Sequence, residues 1–199
     1  MANPFAIATQ GKGVFPMLGR MLSIIRRYGL SAAQMDKNLS QLAATLQAYN
    51  CQATLPTTSM ALARNQSLAS RVHTQGIELA VHGLVHVDHS QLSLEQQVDH
   101  LTRARQIFDQ AGIPVSGFRC PYLRWSRDTL TALSQCGFDY DSSQALDWNL
   151  DEDLENEAYA HVLQFYGAES ARQYPSLPWM EGNLVRIPYC LPDDEALVE

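Results

Sequence analysis

Residues 82–90 read HGLVHVDHS, three histidines and an aspartate in nine positions, directly after the apolar run IELAV. A neutral imidazole nitrogen can ligate a divalent metal and can also accept a proton near neutral pH. Two histidines four apart after a buried strand, His82 and His86, could hold Zn²⁺. A catalytic site of that kind takes a third protein donor, often a carboxylate, and keeps one position for water. The ordinary alternative is a hydrogen-bonded loop pair that binds nothing. His89 is the weaker ligand candidate, and His73, His100 and His161 read as exposed helix positions.

Residues of this kind need elements to present them, and the chain alternates helical and strand patterns. SAAQMDKNLSQLAATLQAYN carries Met35, Leu39, Leu42 and Leu46 at helical spacing, with Ser31 as its expected N-cap. CQATLPTT reads as a short strand, MALARNQSLASRVHTQG as one helix ending at Gly76, and IELAVHG as a strand covered on both faces. In SLEQQVDHLTRARQIFDQAG, Ser93 and Gln96 form a capping box, because each side chain can satisfy the other's free backbone N–H. SGFRCP is a strand, SRDTLTALSQCG a helix capped by Ser126, FDYDSS a strand, EDLENEAYAHVLQFYG a helix and LVRIPYC a late strand. Strand–helix alternation predicts a parallel sheet wrapped by helices, whose ligands gather at the C-terminal strand ends. HGLVHVDH, RCPY and SSQALDW should therefore meet on one rim.

Composition narrows the partners. The 199 residues, 46% of them hydrophobic, are enough for one domain with a sizeable core. A formal charge of −7 with no basic stripe argues against a nucleic-acid partner. Cys51, Cys120, Cys136 and Cys190 are scattered, with no CxxC pair, as in a reducing compartment. Gly, Lys, Pro and Arg interrupt the first 29 residues, so no signal-peptide core is read there, and no run of transmembrane length occurs. The resulting expectation is a cytoplasmic protein. Phe15, Leu18, Leu22, Ile25 and Tyr28 form an apolar helical face, read as an N-terminal helical extension over 1–30 that docks on its own domain, with a membrane surface as the alternative.

The order of motifs from about Ala53 to Trp148 resembles the NodB-type polysaccharide deacetylases, carbohydrate esterase family 4. HGLVH is similar to the family's His-x-x-x-His metal dyad, RCPY to its Arg-x-Pro-Tyr wall, and LDW, more weakly, to its Asp-Trp wall. The resemblance implies an α/β fold, a NodB-like distorted (β/α) barrel, over residues 31–199. It implies His82 and His86 as ligands of a divalent metal, Zn²⁺, and Arg119 as the residue orienting a catalytic carboxylate. It further implies the Tyr122 N–H as oxyanion donor, Pro121 and Trp148 as substrate-binding walls, and an N-acetylated polysaccharide or oligosaccharide as substrate. The implied reaction is metal-dependent hydrolysis of N-acetyl groups on an aminosugar polymer.

Two features depart from the family pattern. The family's Thr-Phe-Asp-Asp motif, which supplies the base and a metal-binding Asp, has no counterpart where RRYGLSAAQMDKN stands. Asp36, the nearest carboxylate, reads as a surface residue facing the helix dipole. Asp88 and Asp141 lie nearer the expected rim and are the candidates for an extra carboxylate. The family's Leu-x-His motif is also missing, so the barrel is expected to be incomplete and the domain shortened at its C-terminus. Two alternatives to an enzyme stay open. One is a carbohydrate- or metal-binding pseudoenzyme, and the other is a fragment completed by a partner chain or a missing C-terminal segment.

Overall fold

The structure, a computed structural model, describes residues 32–147 and 157–191. Two compact units divide the chain, Met1–Cys51 and Gln52–Glu199. The expected division at residue 30, the cap at Ser31 and the wall residue Trp148 all lie outside the described residues. In the first unit, α1 (Ala33–Ala48) starts from Ala32, which offers no capping side chain, and carries Asp36 in its first turn. Ala43 is its buried residue, while Met35 and Leu42 of the predicted apolar face are 43% and 42% exposed.

The second unit contains the sheets. Its elements are β1 (Thr54–Thr57), α2 (Ser59–Arg64), α3 (Gln66–Thr74), β2 (Glu78–Val81), α4 (Leu94–Gln110), β3 (Gly117–Phe118) and α5 (Arg127–Gln135). There follow β4 (Tyr140–Asp141), β5 (Ala145–Asp147), α6 (Glu157–Tyr166), β6 (Glu169–Ser170), β7 (Trp179–Glu181), β8 (Leu184–Arg186) and β9 (Tyr189–Leu191). One sheet has the order β1-β2-β3-β4-β8-β7, parallel except for the β7–β8 hairpin. A second, β6-β5-β9, is wholly parallel. The described strands form these two sheets and do not close into a barrel, so the fold is α/β as expected, with the expected barrel left incomplete.

Burial explains why these segments form these elements. Leu79, Ala80 and Val81 of β2 are all buried, as a continuous apolar run requires of a central parallel strand. On α4, Leu101, Ala104 and Phe108 sit one above another and are fully buried. Full burial of a side chain such as Leu101 or Phe108 is worth about 1.5–3 kcal/mol. Both bonds of the Ser93–Gln96 capping box form, and Ser126 makes a second box with Thr129. Arg105 of α4 donates to the Gly137 carbonyl at the end of α5, which ties the two helices at a C-terminus left short of donors.

Two expected elements divide. The helix expected over 60–76 breaks at Asn65, whose backbone (φ −136, ψ 40) leaves helical space. Its side-chain amide donates back to the Ala61 carbonyl, the competition with main chain that disfavours Asn within helices. The late strand LVRIPYC becomes two strands in different sheets. Ile187 donates to Asp141 and Tyr189 to Gln144, and Pro188 between them has no N–H to continue a ladder.

Candidate functional site

The segments following β2, β3 and β4 meet at one rim. Parallel register carries past the strand ends: His82 N–H donates to Thr57, Arg119 N–H to Val81 and Ser142 N–H to Phe118. After β2 the chain turns at Gly83, with φ +78, and α2 holds the turn from the other side. Ser59 N–H donates to the Gly83 carbonyl and Met60 N–H to that of Leu84.

His82 is half-buried, and its Nδ1 lies 2.7 Å from the Arg119 carbonyl oxygen. A carbonyl only accepts, so Nδ1 carries the proton and Nε2 keeps its lone pair. Burial pushes the His82 pKa below its ordinary value against the effect of that hydrogen bond, and the positive groups nearby add to the lowering. The imidazole is thus neutral at pH 7. His86 is exposed, and its ring stands edge-on to His82 (centroids 5.0 Å apart) and to Tyr122 (4.5 Å).

The Arg119–Tyr122 segment forms a 3₁₀ turn over Pro121–Leu123. Tyr122 and Leu123 both have positive φ, 58 and 55, an uncommon state for non-glycine residues that surrounding bonds must hold. The Ser143 hydroxyl accepts from Cys120 N–H, and the Leu123 and Arg124 N–H groups close the turn on Cys120 and Pro121. Neither closing bond uses the Tyr122 N–H. Arg119 gives Nε to the Ser142 carbonyl and Nη2 to the Ser142 hydroxyl, and its guanidinium lies over the Tyr189 ring. Among the described residues Arg119 makes no ion pair with a carboxylate; its partner is the segment after β4.

Asp88 and Asp141 are both committed to the framework. One oxygen of Asp88 accepts from the Ser90 N–H and hydroxyl, and the other pairs with Arg124 at 3.2 Å. Burial raises its pKa, but the Ser90 and Arg124 contacts outweigh that and hold it below the ordinary value. Asp141 is fully buried against Arg186 at 3.1 Å and accepts from the Ser143 hydroxyl. Burial raises its pKa more than Arg186 lowers it. Among the described residues no group of three His, Cys, Asp or Glu side chains comes together. The two imidazoles suit a divalent ion, but the described donor set stops short of the three that a catalytic site takes.

His82, His86, Arg119 and Tyr122 line a cavity of about 520 Å³. Its far wall is Tyr159 and Tyr166 of α6 with Tyr189 of β9, residues that motif reading does not reach. Their signal in the sequence is the spacing of Tyr159, Val162 and Tyr166 on one face of a helix. Pro121 is buried at the start of the 3₁₀ turn, close to Gly83. His89 and His100, expected at the surface or in the loop, carry ring nitrogens buried behind the site, and His89 is wholly inaccessible.

The chain belongs to the polysaccharide deacetylase family, whose model matches residues 28–140. A peptidoglycan deacetylase-like protein of Gibberella zeae is 39% identical over 69 residues, which cover 34% of this chain and 20% of that protein. The chain thus matches only a fifth of that curated relative's length. The fold is similar to a family 4 carbohydrate esterase from Streptomyces lividans in complex with acetate, at TM-score 0.50 and 19% identity, covering 75% of this chain and 71% of that one. It is also similar to a carbohydrate esterase family 4 pseudoenzyme from Bacillus anthracis, at TM-score 0.52 and 16% identity, covering 81% and 53%. No helix among the described residues is long and apolar enough to cross a membrane.

Proposed function

We propose that this domain binds an N-acetylated aminosugar of a polysaccharide in the His82–Tyr122 cavity and hydrolyses its amide. The observation that carries the reading is the neutral His82, with its Nε2 lone pair left available beside the Tyr122 turn. In this reading His82 Nε2 accepts the proton of the attacking water. The Tyr122 N–H donates to the carbonyl oxygen as negative charge develops there. Arg119 acts as a positioning residue, since its carbonyl fixes the His82 tautomer while its guanidinium is anchored on Ser142. Pro121 sets the turn that presents Tyr122.

Metal dependence would use the same nitrogen differently: His82 Nε2 and His86 would form a two-donor site for Zn²⁺. With Nδ1 bonded to Arg119, a metal-bound Nε2 has no lone pair left for the water's proton, so His82 acts as base only in the metal-free site. A bound divalent ion would supply Lewis acidity; none of the steps above is routed through it. A second reading, carbohydrate binding without turnover, is favoured by one observation: Asp88 and Asp141 are each engaged away from the cavity. Acetate release from acetylated chito-oligomers separates the two. Hydrolysis predicts release that falls about 10²–10⁴-fold in His82→Ala. Oligomer binding with no acetate above the level of that variant would refute hydrolysis in favour of binding. A Zn²⁺ titration by calorimetry, repeated on His82→Ala/His86→Ala, tests the metal part, and heat unchanged in the double variant would refute it.

A further inference from the structure

We infer that the cavity next to the His82 pocket is a second saccharide subsite, taking the neighbouring neutral pyranose of the same polymer. The inference rests on the polysaccharide reading above and names what else of that polymer the domain holds. This cavity, of about 350 Å³, is lined by Arg124, Trp125, Gln144, Gln164 and Phe165, and it shares Leu123 and Tyr166 with the first.

A pyranose offers an apolar C–H face and a rim of hydroxyls, so it is recognised by aromatic surface and fixed planar donors. The aromatic surface runs between the two cavities. Tyr122 and Phe165, 41% and 44% exposed, stand edge to face at 6.1 Å, and Phe165 meets Tyr166 at 5.0 Å.

The polar groups are set before any ligand arrives, because a buried cation holds them. Arg186 is 0% exposed and paired with Asp141 and Glu181. Its Nη2 donates to the Gln144 Oε1, and its guanidinium lies 4.2 Å from the Trp125 ring centre. With Oε1 taken, the group Gln144 has left for a ligand is its NH₂, a donor to a hydroxyl or acetamide oxygen. Arg124 is fixed as well, donating to the Phe165 carbonyl and to Asp88 with its plane over the Phe165 ring. Its charge is balanced by Asp88, and Glu169 also lines the cavity, so the cavity disfavours an anionic sugar and suits a neutral one. Groups held this way lose little freedom on binding.

The test is an NMR titration with N-acetylglucosamine and its β-1,4-linked dimer and trimer, on the wild type and on Phe165→Ala and Gln164→Ala, two exposed positions. The trimer should bind about tenfold more tightly than the monomer, the gain of one or two added contacts. Both variants should lose much of that gain and keep the monomer affinity. The Trp125 indole and Gln144 amide signals should move with trimer and stay still with monomer. If trimer moves the His82 signals but not those of Trp125 and Gln144, the second subsite is wrong and the first pocket stands. If affinity does not depend on length, or the variants weaken monomer and trimer equally, the second subsite is again overturned. If the wild type binds none of the three sugars, the polysaccharide reading fails and the subsite with it.

Discussion

Gly83→Ala tests the turn that sets both rim histidines, and Gly112→Ala is its internal control. Both glycines have positive φ, +78 and +68. Alanine pays a backbone cost of about 1–2 kcal/mol in that region. At Gly112 nothing lies within 4 Å of the added Cβ, so the backbone term is the whole effect. At Gly83 the Cβ would stand 2.9 Å from the Val85 carbonyl oxygen and 3.1 Å from His89 Nε2. The first of these neighbours is backbone and the second belongs to a wholly buried ring, so neither yields easily. Overpacking of this kind costs a further ~1–3 kcal/mol. Gly83→Ala should therefore lose about 3 kcal/mol against about 1 for Gly112→Ala. For a unit of this size that corresponds to Tm falls of roughly 6–12 °C and 2–4 °C. Thermal unfolding followed by circular dichroism reads both. Equal falls in the two variants would refute the reasoning, because they would mean that the chain after β2 does not fold back on its own carbonyl.

Burial, followed by the charge of His100, lowers the His89 pKa from 6.5 to about 4. The unfolded chain therefore binds the extra proton first, and stability intact above about pH 6.5 is lost as pH falls toward 4, by up to about 3 kcal/mol. His89→Leu should flatten the Tm–pH curve over that window, and an unchanged slope would count against the burial. Ser93→Ala removes one half of the α4 capping box and should lower stability by about 1 kcal/mol, read as a shift in the urea midpoint at constant m-value. Arg119→Lys loses the paired contacts to Ser142 and should weaken N-acetylglucosamine binding in an NMR titration, with Tm falling by only a few degrees, about 1–2 kcal/mol; unchanged affinity would mean that the Arg119 guanidinium has no part in positioning the site, leaving that to its main-chain carbonyl.

What the sequence made legible was local or periodic. The Ser93–Gln96 box spans three residues, and both its bonds are present. The unbroken apolar run of β2 announces a strand buried on both faces, as observed. What it concealed depends on partners distant along the chain. Asp141 reads as a free rim carboxylate until Arg186 pairs with it across β4 and β8. His100 sits on a helix rich in polar residues, and only the packing of that helix against the loop carrying His89 turns its ring inward. The Asn65 break and the change of sheet at Pro188 are single-residue events inside patterns that otherwise favour continuity.

The hydrogen bonds that build the rim have a consequence for how the protein reaches its native state. His82 meets Arg119 across a separation of 37 residues, and Arg119 meets Ser142 across 23. None of these contacts can form early as a local turn, because each requires a long loop to be closed first. The parallel pairing of β2, β3 and β4 brings those loops together, so the sheet must assemble before the rim exists. A ligand that needs the finished rim finds no site on a partly folded chain. Its binding energy adds to the stability of the completed fold alone.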